Sequence, residues 1–115
     1  MSDEKQWIDV CSIDDLQPDS GICALVNNKQ IAIFYMPKEN ALYAINNYDP
    51  FGEANVLSRG LIGDLNGIPM VASPLYKQHF NLQTGECLDD SSVSVEAYSI
   101  RIENDRVQVS LEENK

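Results

Sequence analysis

From Tyr98 to Glu103, and again from Arg106 to Leu111, apolar and polar side chains alternate strictly around the pair Asn104-Asp105. A period of two points successive side chains to opposite faces of an extended strand, so each run offers one apolar face. Asn and Asp tolerate the left-handed backbone of a tight turn, so the pattern predicts a terminal β-hairpin. The same grammar recurs through the chain. Trp7 to Cys11 reads as a first strand, and Ile22 to Val26 and Gln30 to Met36 as a hairpin about Asn27-Asn28. Pro37 to Asn40 is a turn before a strand from Ala41 to Ile45. Ile68 to Ala72, His79 to Leu82 and Glu86 to Leu88 are further short strands, the last two joined at Thr84-Gly85, and 89–95 is a polar connector. Ser12 with Asp15 has the form of a capping box, enough for one short helical turn that Pro18 then stops. Roughly nine short strands and almost no helix predict a single all-β domain over 1–115, a small sandwich or barrel. The tail 112–115 is expected to fray.

Two stretches break this pattern. The segment 46–67 holds four glycines, one proline and little alternation, and it reads as a long loop. Loops of that length inside a compact domain are uncommon and are usually functional. A second loop, 73–78, follows the strand at Ile68 to Ala72. Neither Asp49-Pro50-Phe51 nor Ser73-Pro74-Leu75-Tyr76 offers a good set of metal ligands. On its own, Asp49-Pro50-Phe51 fits an ordinary turn with a buried Phe.

Charge narrows the partners. Eight Lys and Arg face eighteen Asp and Glu, a net charge of −10. Nucleic-acid backbones and anionic membrane surfaces recruit basic clusters, so neither is expected as a partner. No apolar run approaches the ~20 residues of a bilayer span, and Met1 to Lys5 is too polar to begin a signal peptide. Cys11, Cys23 and Cys87 are odd in number and far apart, against a disulfide framework or zinc motif and in keeping with a reducing cytoplasm. Cys23, within Ile22 to Val26, reads as a small buried hydrophobe. His79 is the sole histidine and has no companion from which a metal site or catalytic dyad could be named. Gly60, Gly63 and Gly67 lack the strand-to-helix setting of a phosphate loop and read as turn residues with positive φ.

The two proline-bearing loops flanking a strand, with Leu57-Ser58-Arg59-Gly60 closing the first and Phe80-Asn81-Leu82-Gln83-Thr84-Gly85 following the second, resemble the Rieske family. In that family a Cys-x-His loop and a Cys-x-x-His loop clasp a [2Fe–2S] cluster. Alignment on these anchors puts Asp49 and Phe51 at the first pair of ligand positions and Ser73 and Tyr76 at the second. All four ligands are then replaced, which implies a retained fold, with 46–67 and 73–78 as the former cluster-binding loops and no cluster in this chain. Phe51 would fill volume that a cluster occupies elsewhere. Tyr48-Asp49-Pro50-Phe51, Ala54 to Gly60, Val71 to Gln78, and Cys87-Leu88-Asp89-Asp90 with Val93-Ser94-Val95 together resemble one Rieske-like group, the small subunits of bacterial NADH-dependent nitrite reductases of nitrate assimilation.

That resemblance implies a cytoplasmic hetero-oligomer. A large subunit carrying FAD, an iron–sulfur cluster and siroheme would reduce nitrite to ammonium, and this chain would support it without being catalytic alone. Arg59, Tyr76, Lys77 and Gln78 are the candidate partner contacts, since Tyr and Arg at loop tips are enriched in interfaces. Two other readings stand beside it. A free-standing β module would bind a peptide or protein through an edge strand or the long loop. An independent Rieske-type electron carrier would need the ligands that are absent.

Overall fold

The computed structural model describes residues 6–75 and 77–111; Tyr76, Met1 to Lys5 and the tail 112–115 lie outside them. Among the described residues there are eleven strands and three single-turn 3-10 helices. Six strands form one antiparallel sheet in the order β1 (Ile8–Ser12), β11 (Arg106–Ser110), β10 (Ala97–Glu103), β4 (Ala41–Asn46), β3 (Lys29–Met36) and β2 (Ser20–Val26). Contact between β1 and β2 brings its two edges together, so the sheet is nearly a closed barrel. A three-stranded sheet of β7 (Leu61–Leu65), β8 (Ile68–Ala72) and β9 (His79–Asn81), with the short hairpin β5 (Tyr48–Asp49) and β6 (Ala54–Asn55), packs against one side of it. The expected all-β class holds.

Strand β3 joins the two cores. Its run Ile31-Ala32-Ile33-Phe34 is buried throughout because it is covered on both faces, the circumstance in which strands read as continuous apolar runs. Ile31 and Ile33 enter the barrel with Leu16, Val26, Ala44, Tyr98, Val107 and Val109. Ala32, Phe34 and Met36 face the other way, onto Ile45, Leu57, Val71, Phe80, Leu82 and Cys87. This second core seats the small sheet and the two loops.

Both Asn-based hairpins form as expected. Asn27 and Asn28 have φ 50° and 69°, and Asn104 and Asp105 have φ 53° and 64°. Two successive left-handed residues match the right-handed twist of the flanking strands. The Ser12 box also forms, around the 3-10 turn Ile13–Asp15: Asp14 N donates to Ser12 Oγ at 3.1 Å, and Ser12 N donates to Asp15 Oδ2 at 3.1 Å.

Four expectations need correction. The stretch 46–67 is not a continuous loop, because it contains β5, β6, a 3-10 turn at Leu57–Arg59 and the five-residue strand β7. Strand β7 hides in the sequence because Gly63 sits at its centre and Ile62 is its one residue packed on the core. Gly60 and Gly63 do not have positive φ; of the three glycines only Gly67 does, at 87°. Gly60 serves close approach instead: a Cβ there would lie 2.3 Å from the Ala72 carbonyl oxygen. Glu86 to Leu88 forms single bridges, Phe80 with Cys87 and Glu86 with Ser94, rather than a strand. Cys23 is exposed, because Ile22, Ala24 and Val26 take the barrel side of β2. No helix among the described residues is long and apolar enough to cross a membrane.

Candidate functional site

The first loop is held at its root by Asn47, a fully enclosed side chain. Asn47 Oδ1 accepts from Ser58 N at 2.7 Å, and its Nδ2 donates to Gln30 Oε1 at 3.0 Å. Its backbone N–H reaches Gln30 O at 2.9 Å, and its carbonyl accepts from Leu57 N at 3.0 Å. One residue thus closes the loop on itself and pins it to β3. Asn46 Oδ1 caps the next amide, Tyr48 N, at 2.9 Å. The sequence offered Asn46-Asn47 only as the start of a loop, and the long-range role of Asn47 has no local signature.

At the tip, Asp49 is also fully buried. Its Oδ1 accepts from Phe51 N at 2.9 Å, which shapes the Pro50 turn, and its carbonyl accepts from Glu53 N at 2.7 Å. Its Oδ2 accepts a hydrogen bond from Ser73 Oγ in the second loop. Ser73, equally buried, accepts from Leu75 N at 3.2 Å through the same Oγ. Ser73 N donates to Gln78 O at 2.9 Å, and Lys77 N donates to Ser73 O at 3.1 Å, so the second loop is a tight turn passing through Lys77 at φ 67°. The Leu75 side chain lies over Gly52, where a Cβ would meet its Cδ1 at 2.3 Å. The tips of the two loops therefore touch directly.

Phe51 packs on Phe80 of β9, with ring centroids 6.2 Å apart and planes tilted by 54°. Asp49, Phe51 and Ser73 are thus brought together, and Tyr76 lies outside the described residues. Arg59 and Lys77 are exposed. Gln78 Oε1 is buried with no hydrogen-bond partner among the described residues.

His79 is not isolated. Its N–H donates to Asp89 Oδ2 at 2.7 Å, and its Nδ1 lies 3.0 Å from the same oxygen. The His79 backbone N–H, followed by its ring, holds the Asp89 carboxyl below the usual carboxylate range. Ten residues and a turn separate the pair, so spacing could not have found it. Beside the first loop, Asn46, Tyr48, Pro50, Ser94, Val95 and Glu96 line an open hollow of about 290 Å³. Tyr98 Oη donates to Glu96 at 2.6 Å, and this bond lowers the Glu96 carboxyl, while burial raises the Tyr98 hydroxyl.

Four similarities to known proteins bear on this geometry. The family model of the Rieske-like [2Fe-2S] domain matches residues 6–110. The chain is 47% identical over 104 residues to the nitrite reductase (NADH) small subunit of Escherichia coli (strain K12), covering 90% of this chain and 96% of that protein. It superposes on the NMR structure of the E. coli protein NirD with a TM-score of 0.86 at 44% identity, covering 96% of this chain and 100% of that one. A segment of the nitrite reductase [NAD(P)H] large subunit of Klebsiella oxytoca is 41% identical over 105 residues, 91% of this chain and 11% of that protein.

The residues at the tips do not fit a [2Fe–2S] cluster, which takes four Cys or His ligands. Both Asp49 carboxylate oxygens and the Ser73 hydroxyl are committed to hydrogen bonds within the loops. Phe51 has no lone pair. Among the described residues no three His, Cys, Asp or Glu side chains gather closely enough to hold a metal ion.

Proposed function

Since the chain belongs to the Rieske-like [2Fe-2S] domain family, and within it to the small subunits of NADH-dependent nitrite reductase, we propose that it is the cofactor-free, supporting subunit of that oxidoreductase. The observation that carries this reading is the replacement of a metal-binding tip by a hydrogen-bonded Asp49–Ser73 tie capped by Phe51. Such a tip ties the segments expected as the former cluster-binding loops, 46–67 and 73–78, to each other while holding no redox centre. Its use is then contact. Arg59, Tyr76, Lys77 and Gln78 are the residues assigned to meet the large subunit.

The redox chemistry belongs to that partner, whose FAD, iron–sulfur cluster and siroheme would carry electrons from NADH to nitrite and yield ammonium. This chain's part is to bind and position. The rigid tie across its loops supports that role, because a preordered surface loses less entropy on docking. The assembly would work in the cytoplasm, as one domain of this chain, 1–115, on the large subunit. The experiment is NADH-dependent nitrite reduction by the large subunit with and without this chain, together with iron analysis of the purified chain. Turnover that depends on the chain, with no iron in it, is the expected result. Equal turnover without it, or stoichiometric iron with a visible charge-transfer band, overturns the reading.

A further inference from the structure

The three-stranded sheet has one face in the core and one in solvent. Ile62, Val71 and Phe80 stand in register across β7, β8 and β9 and pack in the second core. The residues between them face outward, because side chains alternate along a strand. They form rows: Leu61 beside Ala72 beside His79, then Gly63 beside Met70 beside Asn81, then Leu65 beside Ile68. The solvent face of an antiparallel sheet is ordinarily polar. Here Leu61 is 76% exposed and Leu65 42%, with Ile68 and Met70 half-buried between them. Strand β7 is also the outer edge of its sheet.

The first row begins where the loops end. Leu61 follows Arg59-Gly60, Ala72 precedes Ser73, and His79 follows Gln78. The patch therefore adjoins both loops, and Leu75 in the second adds another exposed apolar side chain. Two exposed cations, Arg59 and Lys77, stand at its loop end in a chain of net charge −10, while Asp89 is bonded to His79 of the first row. Lys29 and Arg106 have carboxylate partners, and Arg101 lies over Trp7, whereas Lys38, Arg59 and Lys77 are exposed and enter no ion pair among the described residues; of these three, Arg59 and Lys77 belong to the two loops and Lys38 to the turn before β4. A surface of this make-up suits a partner face that is apolar at its centre and acidic at its edge.

The Klebsiella oxytoca relative indicates which partner. There a segment like this chain is part of a large subunit's own polypeptide. A domain so tethered meets the rest of its chain at high effective concentration, and its exposed apolar face would be covered by that neighbour. Resting on the small-subunit reading above, we infer that the outer face of β7, β8 and β9, centred on Leu61, Leu65, Ile68 and Met70, is a docking surface for the nitrite reductase large subunit. Contact extends from the loop tips down the sheet, and the occupant is the large subunit rather than a second copy of this chain.

The test uses the full chain and its large subunit. Affinity is measured by biolayer interferometry for the wild type, for Leu61→Asp with Leu65→Asp, and for Ile102→Asp, an exposed apolar site on β10 of the barrel. The paired change should weaken binding at least tenfold, and Ile102→Asp should leave it within about twofold. Leu61→Thr with Leu65→Thr keeps strand propensity and should weaken binding about threefold or more, which covers a failure of the Asp pair to fold. Wild-type binding that neither paired variant changes overturns the inference and leaves the small-subunit reading standing. No wild-type binding at all removes that reading, and the inference with it. A stable dimer of the chain alone that Leu61→Asp dissolves assigns the face to a second copy and also overturns the inference.

Discussion

Ser73 Oγ donates a hydrogen bond to Asp49 Oδ2 across the two loops, and both residues are shut off from solvent. These are two of the four positions at which the resemblance to cluster-binding domains asks for metal ligands. A buried carboxylate oxygen must find a donor, and here the donor comes from the other loop, so the pair joins what a cluster would otherwise join. Phe51 on Phe80 fills the adjoining volume with apolar contact. The loops are therefore held by ordinary hydrogen bonding and packing, and that makes their stability testable without any metal.

Ser73→Ala should destabilise the isolated domain by about 1–3 kcal/mol, because it strands a buried carboxylate oxygen. In a domain of this size that is a fall in Tm of roughly 4 °C per kcal/mol. Asp49→Ala should cost at least as much, since it also releases the Phe51 amide. The double variant should lose less than the sum of the two single changes. Thermal melts of all four proteins give the cycle, and strictly additive losses would mean that the tie contributes nothing as a pair.

Asn47→Ala should cost about 2 kcal/mol, and its effect should be local to the first loop. It removes the acceptor for Ser58 N and the donor to Gln30 Oε1, while the backbone bonds of Asn47 persist. Amide hydrogen exchange should therefore speed up at Ser58 far more than at Val107 or Val109 in the barrel. Uniform acceleration across both would show that Asn47 acts on the whole fold rather than on the loop root.

Much of this architecture was legible in the residues, and what was not has physical causes. The terminal hairpin was readable because both strands alternate and the turn pair tolerates left-handed backbone. Strand β3 was readable from its β-branched and aromatic residues after the Asn27-Asn28 turn. Strand β7 was not, because its pattern is interrupted by Gly63 and its outer face carries Leu61 and Leu65 where polar residues would mark solvent. The placement of Asp49 and Ser73 as equivalent loop positions could be read by resemblance, but their mutual hydrogen bond could not. It depends on two loops separated in sequence converging over the second core. Asn47 and Asp89 were missed for the same reason: each bonds a residue whose proximity only the fold creates.

The Asp89 carboxyl should titrate below the ordinary Asp range, chiefly because the His79 backbone N–H donates to it and secondarily because of the ring. A depressed folded value means that the folded state holds its proton less tightly than the unfolded chain does. The resulting stabilisation is present above the unfolded value, near pH 4, and is lost as pH falls through the folded one. Carbon-detected NMR titration of the carboxyl should show the lowered midpoint. His79→Ala should restore only part of the shift, because the backbone donor remains. Full restoration would transfer the effect to the imidazole.

Arg59→Glu with Lys77→Glu should slow association with the large subunit more than it speeds dissociation. Both side chains are exposed and unpaired with carboxylates among the described residues, so they contribute through long-range attraction rather than through a desolvated contact. At low ionic strength the association rate constant should fall about tenfold. At 0.1 M salt the Debye length shrinks to about 10 Å, and the difference from wild type should narrow accordingly. The wild-type rate should itself decline with salt, because Arg59 and Lys77 face the partner although the chain as a whole is acidic. The opposite dependence, faster association of the wild type as salt rises, would mean that net repulsion between this acidic chain and its partner governs the encounter and that these two cations do not face the partner. Stopped-flow association at several salt concentrations separates the two cases. Equilibrium affinity alone would not, since a change in either rate alters it.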